Sequence, residues 1–339
     1  MIIERLESII HSFSGLKVIV IGDIIIDHYF WGDATRISPE APVPVVTVLN
    51  ETDTLGGAGN VALNAVAYQA DVTIFGTCGN DVSGKKLAKR FQDSRIKFFD
   101  DCVNPAANTI MKSRVFVQKQ QLCRLDKEDS KDCYDIPYPA KDKLFAFINN
   151  VNLVIISDYA KGVITDNTYK SILESCERNG IFLAVDPKPS NQILYKGASL
   201  MTPNKSEAAQ LAGIKYSAHH KYPLHNICLN IYQKYKPKIL AVTLGDEGIA
   251  LSIEGSVELI IPTLARDVYD VSGAGDTVIA SMALALASGA SPQEAAIIAN
   301  AAAGVVVGKV GTAVVSTNEL LLKLKEDINV FSHLFKSLS

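Results

Sequence analysis

The sequence predicts an α/β protein: a doubly wound, mostly parallel sheet flanked by helices, with a small β-sheet lid. Three observations carry this. Short, wholly apolar runs recur at 18–21, 72–75, 153–156, 182–185 and 239–242, and strands apolar on both sides belong to a parallel sheet covered on both faces. Helical patterns, such as 60–69 and 167–178, separate them, which is the alternation that winds such a sheet. Two segments break the alternation. Residues 30–49 contain Pro39, Pro42 and Pro44 and then alternate over 43–48, and residues 109–126 alternate polar and apolar side chains with no helical period. Both read as antiparallel strands outside the main sheet. They are expected to form one lid from two insertions, at about 30–50 and 105–126, on a single domain spanning 1–339.

In chain order, Ile2, Ile3, Leu6, Ile9, Ile10 and Phe13 recur at three- and four-residue steps, an amphipathic first helix packed on the core. Glu4, Arg5 and Glu7 leave it without the apolar centre of an export signal. The run 18–21 closes on Gly22-Asp23, and a strand-like stretch at 199–202 precedes Asn204. Ligands of such sheets sit at the carboxyl ends of the strands, and Asp23, Ser157-Asp158, Asp186 and Thr243 stand there. The most apolar stretches, 278–290 and 295–307, contain Ser281, Ser288 and Asn300. They are short for a membrane span and read as buried helices.

Of the 339 residues, 48% are hydrophobic and 20% charged, enough for a large core and too apolar for a disordered chain. The 33 Lys and Arg against 36 Asp and Glu leave a net charge of −3. No basic surplus exists to neutralise a phosphate backbone, so nucleic acid is not the expected partner. A local cationic pocket for a small anion is compatible with that balance. Six cysteines without a C-x-x-C pair read as buried thiols in a reducing, cytoplasmic compartment. His219, His220 and His225 lie in a polar, Tyr-rich stretch that reads as a surface loop, and no histidine spacing suits zinc.

The strongest local signal is Asp270-Val271-Ser272-Gly273-Ala274-Gly275-Asp276-Thr277, followed by a helical stretch ending before Gly289. The glycines let backbone N–H groups converge at a helix N-terminus, where the dipole is positive, and so form an anion hole. Asp276 falls in the first turn, inside that field. A carboxylate beside an anion hole suits phosphoryl transfer, since the amides hold phosphate charge while the carboxylate takes the acceptor's proton. Taken alone, the same string is equally a tight turn with an N-terminal Asp. The third glycine of a dinucleotide fingerprint is absent, as is any P-loop. A second cluster, Gly56-Gly57-Ala58-Gly59-Asn60, also opens a helix; it allows close backbone approach by a ligand, or is a flexible turn. Asn204-Lys205-Ser206-Glu207 puts Asn204 and Glu207 on one side of a first helical turn, where they can hold hydrated Mg²⁺ near phosphates or act as ordinary caps. Thr243-Leu244-Gly245-Asp246-Glu247-Gly248 follows another strand.

Four such motifs in this order resemble the ribokinase-like, or PfkB, carbohydrate kinases, over nearly the whole chain. The resemblance implies that Asp276 is the catalytic base, with Gly273, Ala274 and Gly275 as its anion hole. It implies that Asn204, Lys205, Ser206 and Glu207 organise phosphates and Mg²⁺, with Asn204 and Glu207 reaching the metal through water. Thr243, Gly245, Gly248 and Asn300 would hold ATP, and Asp23, Asp27, Gly57 and Asn60 the sugar. Ser272 stands where many members carry Thr, which keeps the hydroxyl.

Further strings resemble the branch of that family acting on heptose 7-phosphates: Gly22-Asp23-Ile24-Ile25-Ile26-Asp27, Arg36-Ile37-Ser38-Pro39-Glu40-Ala41-Pro42-Val43-Pro44-Val45, Ser157-Asp158-Tyr159-Ala160-Lys161-Gly162 and Asp186-Pro187-Lys188. This implies phosphorylation of D-glycero-β-D-manno-heptose 7-phosphate at O1 to the 1,7-bisphosphate, a step of ADP-heptose and lipopolysaccharide inner-core synthesis. A sugar phosphate needs extra cations, and Arg36, Arg124, Lys161 and Lys188 are the expected suppliers, with Asp158 beside them. The lid is expected to pair two copies into a homodimer. The branch often carries a nucleotidyltransferase with an H-x-G-H motif; the sequence ends at Ser339 without one, consistent with a stand-alone kinase or a kinase half. Alternatives are a kinase for another sugar or sugar phosphate, and a non-catalytic sugar-phosphate-binding regulator. Retention of Asp276, Asn204 and Glu207 speaks against the last.

Overall fold

The computed structural model describes residues 2–118, 120–217, 221–263, 268–309 and 311–327. Its strands are β1 Lys17–Gly22, β2 Ile24–Ile37, β3 Pro44–Gly57, β4 Asp71–Phe75, β5 Cys78–Gly79, β6 Val103–Asn104, β7 Ile110–Val117, β8 Gln120–Lys127, β9 Leu153–Ser157, β10 Phe182–Asp186, β11 Leu200–Met201, β12 Ile239–Thr243, β13 Ile249–Ile253 and β14 Ser256–Ile261. The helices are α1 Ile2–His11, α2 Ala58–Ala67, α3 Val82–Asp93, α4 Tyr138–Ile148, α5 Asp166–Asn179, α6 Lys205–Leu211, α7 Leu224–Tyr235, α8 Ala274–Ala287, α9 Pro292–Val306 and α10 Thr317–Glu326.

The main sheet has the order β14-β13-β12-β11-β10-β9-β1-β4. From β4 to β12 every neighbouring pair is parallel, and β13 and β14 add an antiparallel edge. Alternate side chains of one strand feed two cores. Val18 and Val20 pack with α1, α2, α3, α8, α9 and α10; Ile19 and Ile21 pack with α4, α5, α6 and α7. Each fully buried aliphatic side chain contributes about 1.5–3 kcal/mol, so covering both faces is what makes the apolar runs strands. The expected doubly wound sheet is therefore present.

The second sheet, β3-β2-β7-β8, uses the two expected insertions but differs in three respects. It starts earlier, because the chain leaves the main sheet at Asp23 and enters β2 at once; Ile24, Ile25 and Ile26 are buried at its root. The pairing of β2 with β7 is parallel, while β2–β3 and β7–β8 are antiparallel hairpins. Residues 105–109 are not strand. Asp27 stands opposite Lys112 across β2–β7, and Lys112 opposite Asp126 across β7–β8.

Among the cysteines, Cys78, Cys102, Cys176 and Cys228 are buried, but Cys123 is exposed on β8 and Cys133 partly so, contrary to expectation. His225 lies exposed on α7 instead of in a loop; His219 and His220 fall outside the described residues. Among the described residues no helix is long and apolar enough to cross a membrane.

Candidate active site

The site forms where the carboxyl ends of β1, β9 and β10 meet the N-termini of α2 and α8, under the root of the second sheet. Gly57 is the N-cap of α2 at φ 55°. A Cβ there would stand 2.4 Å from the carbonyl oxygen of Asp23, so glycine is required. The turn drops Asn60 into α2's first turn, fully buried.

Gly273, at φ 80°, is the N-cap of α8, which has no side-chain cap. A Cβ on it would come within 2.7 Å of Asn60 Nδ2. The N–H of Ala274 is taken by the carbonyl of Val271, so Ala274 is not part of the expected amide cradle. The N–H groups of Gly275 and Asp276 make no hydrogen bond among the described residues, and a Cβ on Gly275 would meet nothing within 4 Å. Two free amides, a helix dipole and open space are what an anion such as a phosphoryl group fits.

Asp276 is 4% exposed. Asn60 Nδ2 donates to its Oδ2 at 2.7 Å, and the Tyr159 hydroxyl donates to its Oδ1 at 2.9 Å. Burial pushes its pKa up to about 6 against those two bonds, with Asp27 adding to the rise and Lys112 opposing it. An ionisable group poised near neutrality with an open neighbour is suited to proton transfer. Asn60 Oδ1 is buried without a protein partner.

Asp27, expected at the sugar, borders this space and is paired with Arg114 Nη1 at 2.5 Å. A Cβ on Gly56 would collide with Asp27 Oδ2. Asp23 does not face the site. It is fully buried, and its carboxylate accepts the backbone N–H groups of Tyr159, Lys161 and Val163 at 2.8, 3.0 and 3.2 Å. Asp158 is likewise internal: it accepts from Ala160 N–H, Asn191 Nδ2 and the Tyr195 hydroxyl. Burial, then the neighbouring Asp23, pushes its pKa up to about 6. Both carboxylates shape the 158–163 loop.

The expected cations are redistributed. Arg36 lies nine residues along β2 from Asp27, roughly 30 Å away at a strand's rise, exposed at the tip of the second sheet. Arg124 is held in a two-point ion pair by Asp126 at 2.8 and 2.9 Å. Lys161 pairs with Glu128, and Lys188 with Glu207 at 2.7 Å. Sequence reasoning missed Lys112 and Arg114, which lie two apart on one face of β7. Lys112 forms no ion pair among the described residues; its ammonium stands 5.2 Å over the Tyr159 ring. Burial lowers its pKa, and Lys161 and Arg124 push the same way. A Lys-x-Arg step on an alternating strand was the available signal.

The two motifs expected at the nucleotide do meet. Asn204 bridges Thr243, and the N–H of Thr243 donates to the carbonyl of Pro203. Asn204 and Glu207 form a reciprocal capping box at 3.0 and 3.1 Å. Lys205 pairs with Glu247, and Ser206 accepts from Gln210. Gly245 and Gly248 take φ of 71° and 98°; a Cβ on Gly248 would clash with the carbonyl of Ile261. Asn300 donates one N–H of its amide to the carbonyl of Pro262 at 2.8 Å and so holds a loop. Among the described residues no three carboxylate, imidazole or thiol groups cluster to hold a metal directly. Glu207 also approaches Asp186, whose pKa is raised well above the ordinary value by burial, then by Glu207 and Asp276.

Residues 16–319 match the pfkB family carbohydrate kinases. The chain is 42% identical over 313 residues to the "Bifunctional protein HldE" of Sulfurimonas denitrificans, covering 92% of this chain and 65% of that protein. It is 40% identical over 326 residues to the protein of the same name from Desulfatibacillum aliphaticivorans, covering 94% and 66%. The chain thus spans just under two thirds of these relatives. Arabidopsis thaliana ribokinase, solved with ribose and ATP, superposes with a TM-score of 0.72 at 20% identity over 92% of this chain and 99% of that one. Escherichia coli phosphofructokinase-2 gives 0.73 at 16% identity over 92% and 99%. At those identities the likeness is one of fold, and the fold is ribokinase-like. The match over 16–319 and the relatives near 40% identity make this chain a member of the pfkB family of carbohydrate kinases.

Proposed function

We propose that the chain phosphorylates the anomeric hydroxyl of D-glycero-β-D-manno-heptose 7-phosphate with ATP, giving the 1,7-bisphosphate for ADP-heptose and lipopolysaccharide inner-core synthesis. The observation that carries the phosphoryl transfer is Asp276, a buried carboxylate beside two free amides of α8. Asp276 takes the hydroxyl proton while the amides of Gly275 and Asp276 face the phosphoryl oxygens. ATP is supported by the ribokinase solved with ribose and ATP. Its adenosine end lies along Thr243–Gly248, beside the 204–207 turn. Mg²⁺ brought with the triphosphate would be held through water by Asn204 and Glu207, whose oxygens also make the capping box and the Lys188 ion pair. Mg²⁺ supplies charge neutralisation on the phosphates.

The phosphorylated sugar is supported by Lys112, a half-buried ammonium whose nearby carboxylates are already taken: Asp27 by Arg114, Asp126 by Arg124. An anion from the substrate completes it. The heptose rests on the resemblance and on relatives named HldE. A second copy covers the apolar side of the second sheet, where Phe30, Val46, Val48 and Val115 surround a hollow of about 520 Å³.

The test is a comparison of heptose 7-phosphate, fructose 6-phosphate and ribose with MgATP, reading ADP release and the ³¹P spectrum of the product. Heptose 7-phosphate is expected to give the highest kcat/KM and a product with two phosphates. A better unphosphorylated sugar would overturn the substrate, and sugar binding without ADP release would make the chain a sensor.

A further inference from the structure

The 158–163 loop is held with more hydrogen bonds than a connection needs. Asp23 takes the N–H groups of residues 159, 161 and 163, and Asp158 takes that of Ala160 at 2.7 Å. Ala160 sits at φ 59°, uncommon for a residue with a side chain, and a Cβ on Gly162 would stand 2.0 Å from the carbonyl oxygen of Lys131. Two buried carboxylates and a strained backbone are thus spent on fixing one turn. That turn aims the Tyr159 phenol at Asp276 Oδ1.

We propose that Tyr159 is a positioning residue for Asp276: its hydroxyl pins one carboxylate oxygen while Asn60 pins the other, so that the remaining lone pairs face the acceptor hydroxyl. The inference rests on Asp276 being the base. The groups facing Asp276 are Asn60 from α2, Tyr159 after β9, Asp27 from β2, Lys112 from β7 and Asp186 at the end of β10. Burial, reinforced by Asp276 itself, keeps the phenol protonated well above its ordinary range. It is therefore a donor at every working pH, and a hydrogen bond to the charged form favours that form. Asp27 and Asp186 oppose ionisation; Asn60, Tyr159 and Lys112 support it.

The experiment is the pH dependence of kcat for the intact chain, for Tyr159→Phe, and for 3,5-difluorotyrosine placed at 159, a stronger donor of similar shape. Phe is expected to move the acid limb of kcat upward by roughly 0.5–1 pH unit, the worth of one net hydrogen bond. Plateau kcat should fall by about tenfold, with both KM values within about twofold of wild type. The fluorinated residue should move the limb downward. In an Asp276→Asn background, Tyr159→Phe should change kcat by less than about twofold. Limbs that stay put in both Tyr159 variants, with Asp276→Asn inactive, would overturn the role of Tyr159 and leave the base intact. Near-normal turnover in Asp276→Asn would instead overturn the base.

Discussion

The buried carboxylate of Asp23 accepts the backbone N–H of Tyr159 at 2.8 Å, from the end of β1 to the loop after β9. With Lys161 and Val163 it closes three such bonds. Asp23→Ala leaves three backbone N–H groups without that partner, while also removing an acid whose own pKa is raised by burial. A net loss of about 2–4 kcal/mol in urea unfolding is expected. Were Asp23 a sugar ligand, stability would hold and only the sugar KM would rise.

Asp276→Asn should keep the fold and ATP binding and lower kcat by on the order of 10²–10⁴-fold. On the proposed role of Asp276 as an ionised base, wild-type kcat should fall about tenfold per pH unit below a pKa of about 6. Stability runs the other way. Between the ordinary 3.8 and about 6 the folded chain keeps a proton that the unfolded chain releases, so wild type loses stability as pH rises through that window. Melting temperatures at pH 5 and pH 8 should differ less in the Asn variant.

Gly275→Ala separates folding from chemistry. The added methyl meets nothing within 4 Å, and Ala favours a helix over Gly by about 0.8–1.0 kcal/mol. The variant should melt no lower than wild type yet bind MgATP or turn over at least about tenfold less well, because the methyl enters the phosphoryl space. Unchanged kinetics would move the anion site away from α8.

Lys112→Ala should raise the KM for the sugar phosphate roughly tenfold to hundredfold, the loss of one charge-assisted contact, with the ATP KM unchanged. Arg36→Ala, at the sheet tip, should leave the sugar-phosphate KM of a single chain's site near wild type. Steady-state kinetics of both variants, with sedimentation to follow association, read this out. A normal sugar-phosphate KM in Lys112→Ala would return the role to Lys161 or Lys188.

Glu207→Gln keeps an acceptor for the Asn204 N–H but loses the ion pair with Lys188. Activity should require more Mg²⁺ while sugar binding holds. A Mg²⁺ titration matching wild type would leave Glu207 as a helix cap only.

Much of the frame was legible in the sequence because its signals are local. Five apolar runs became β1, β4, β9, β10 and β12, since a strand buried on both faces can only be apolar throughout. The glycines at 57 and 273 announced positive φ before α2 and α8, and Asp276 followed three residues later in the first turn. The capping box of Asn204 and Glu207 could be read from its spacing.

The roles of charges could not be read that way. Whether a lysine is free depends on which carboxylate stands beside it, and those partners come from distant chain. Arg114 meets Asp27 across 87 positions and Tyr159 meets Asp276 across 117. The parallel pairing of β2 with β7 decides that Lys112 and Arg114 stand over the site and that Arg36 does not. Burial decides the rest. Asp23, after β1, and Asp276, in the first turn of α8, both read in sequence as site carboxylates, yet one closes a loop with three amides and the other keeps lone pairs open beside free N–H groups. The sequence by itself determined the sheet, the helices and the glycine turns, which follow from side-chain periodicity and backbone freedom; only the tertiary structure decided which carboxylates and cations remain available for chemistry, because availability is a property of neighbours.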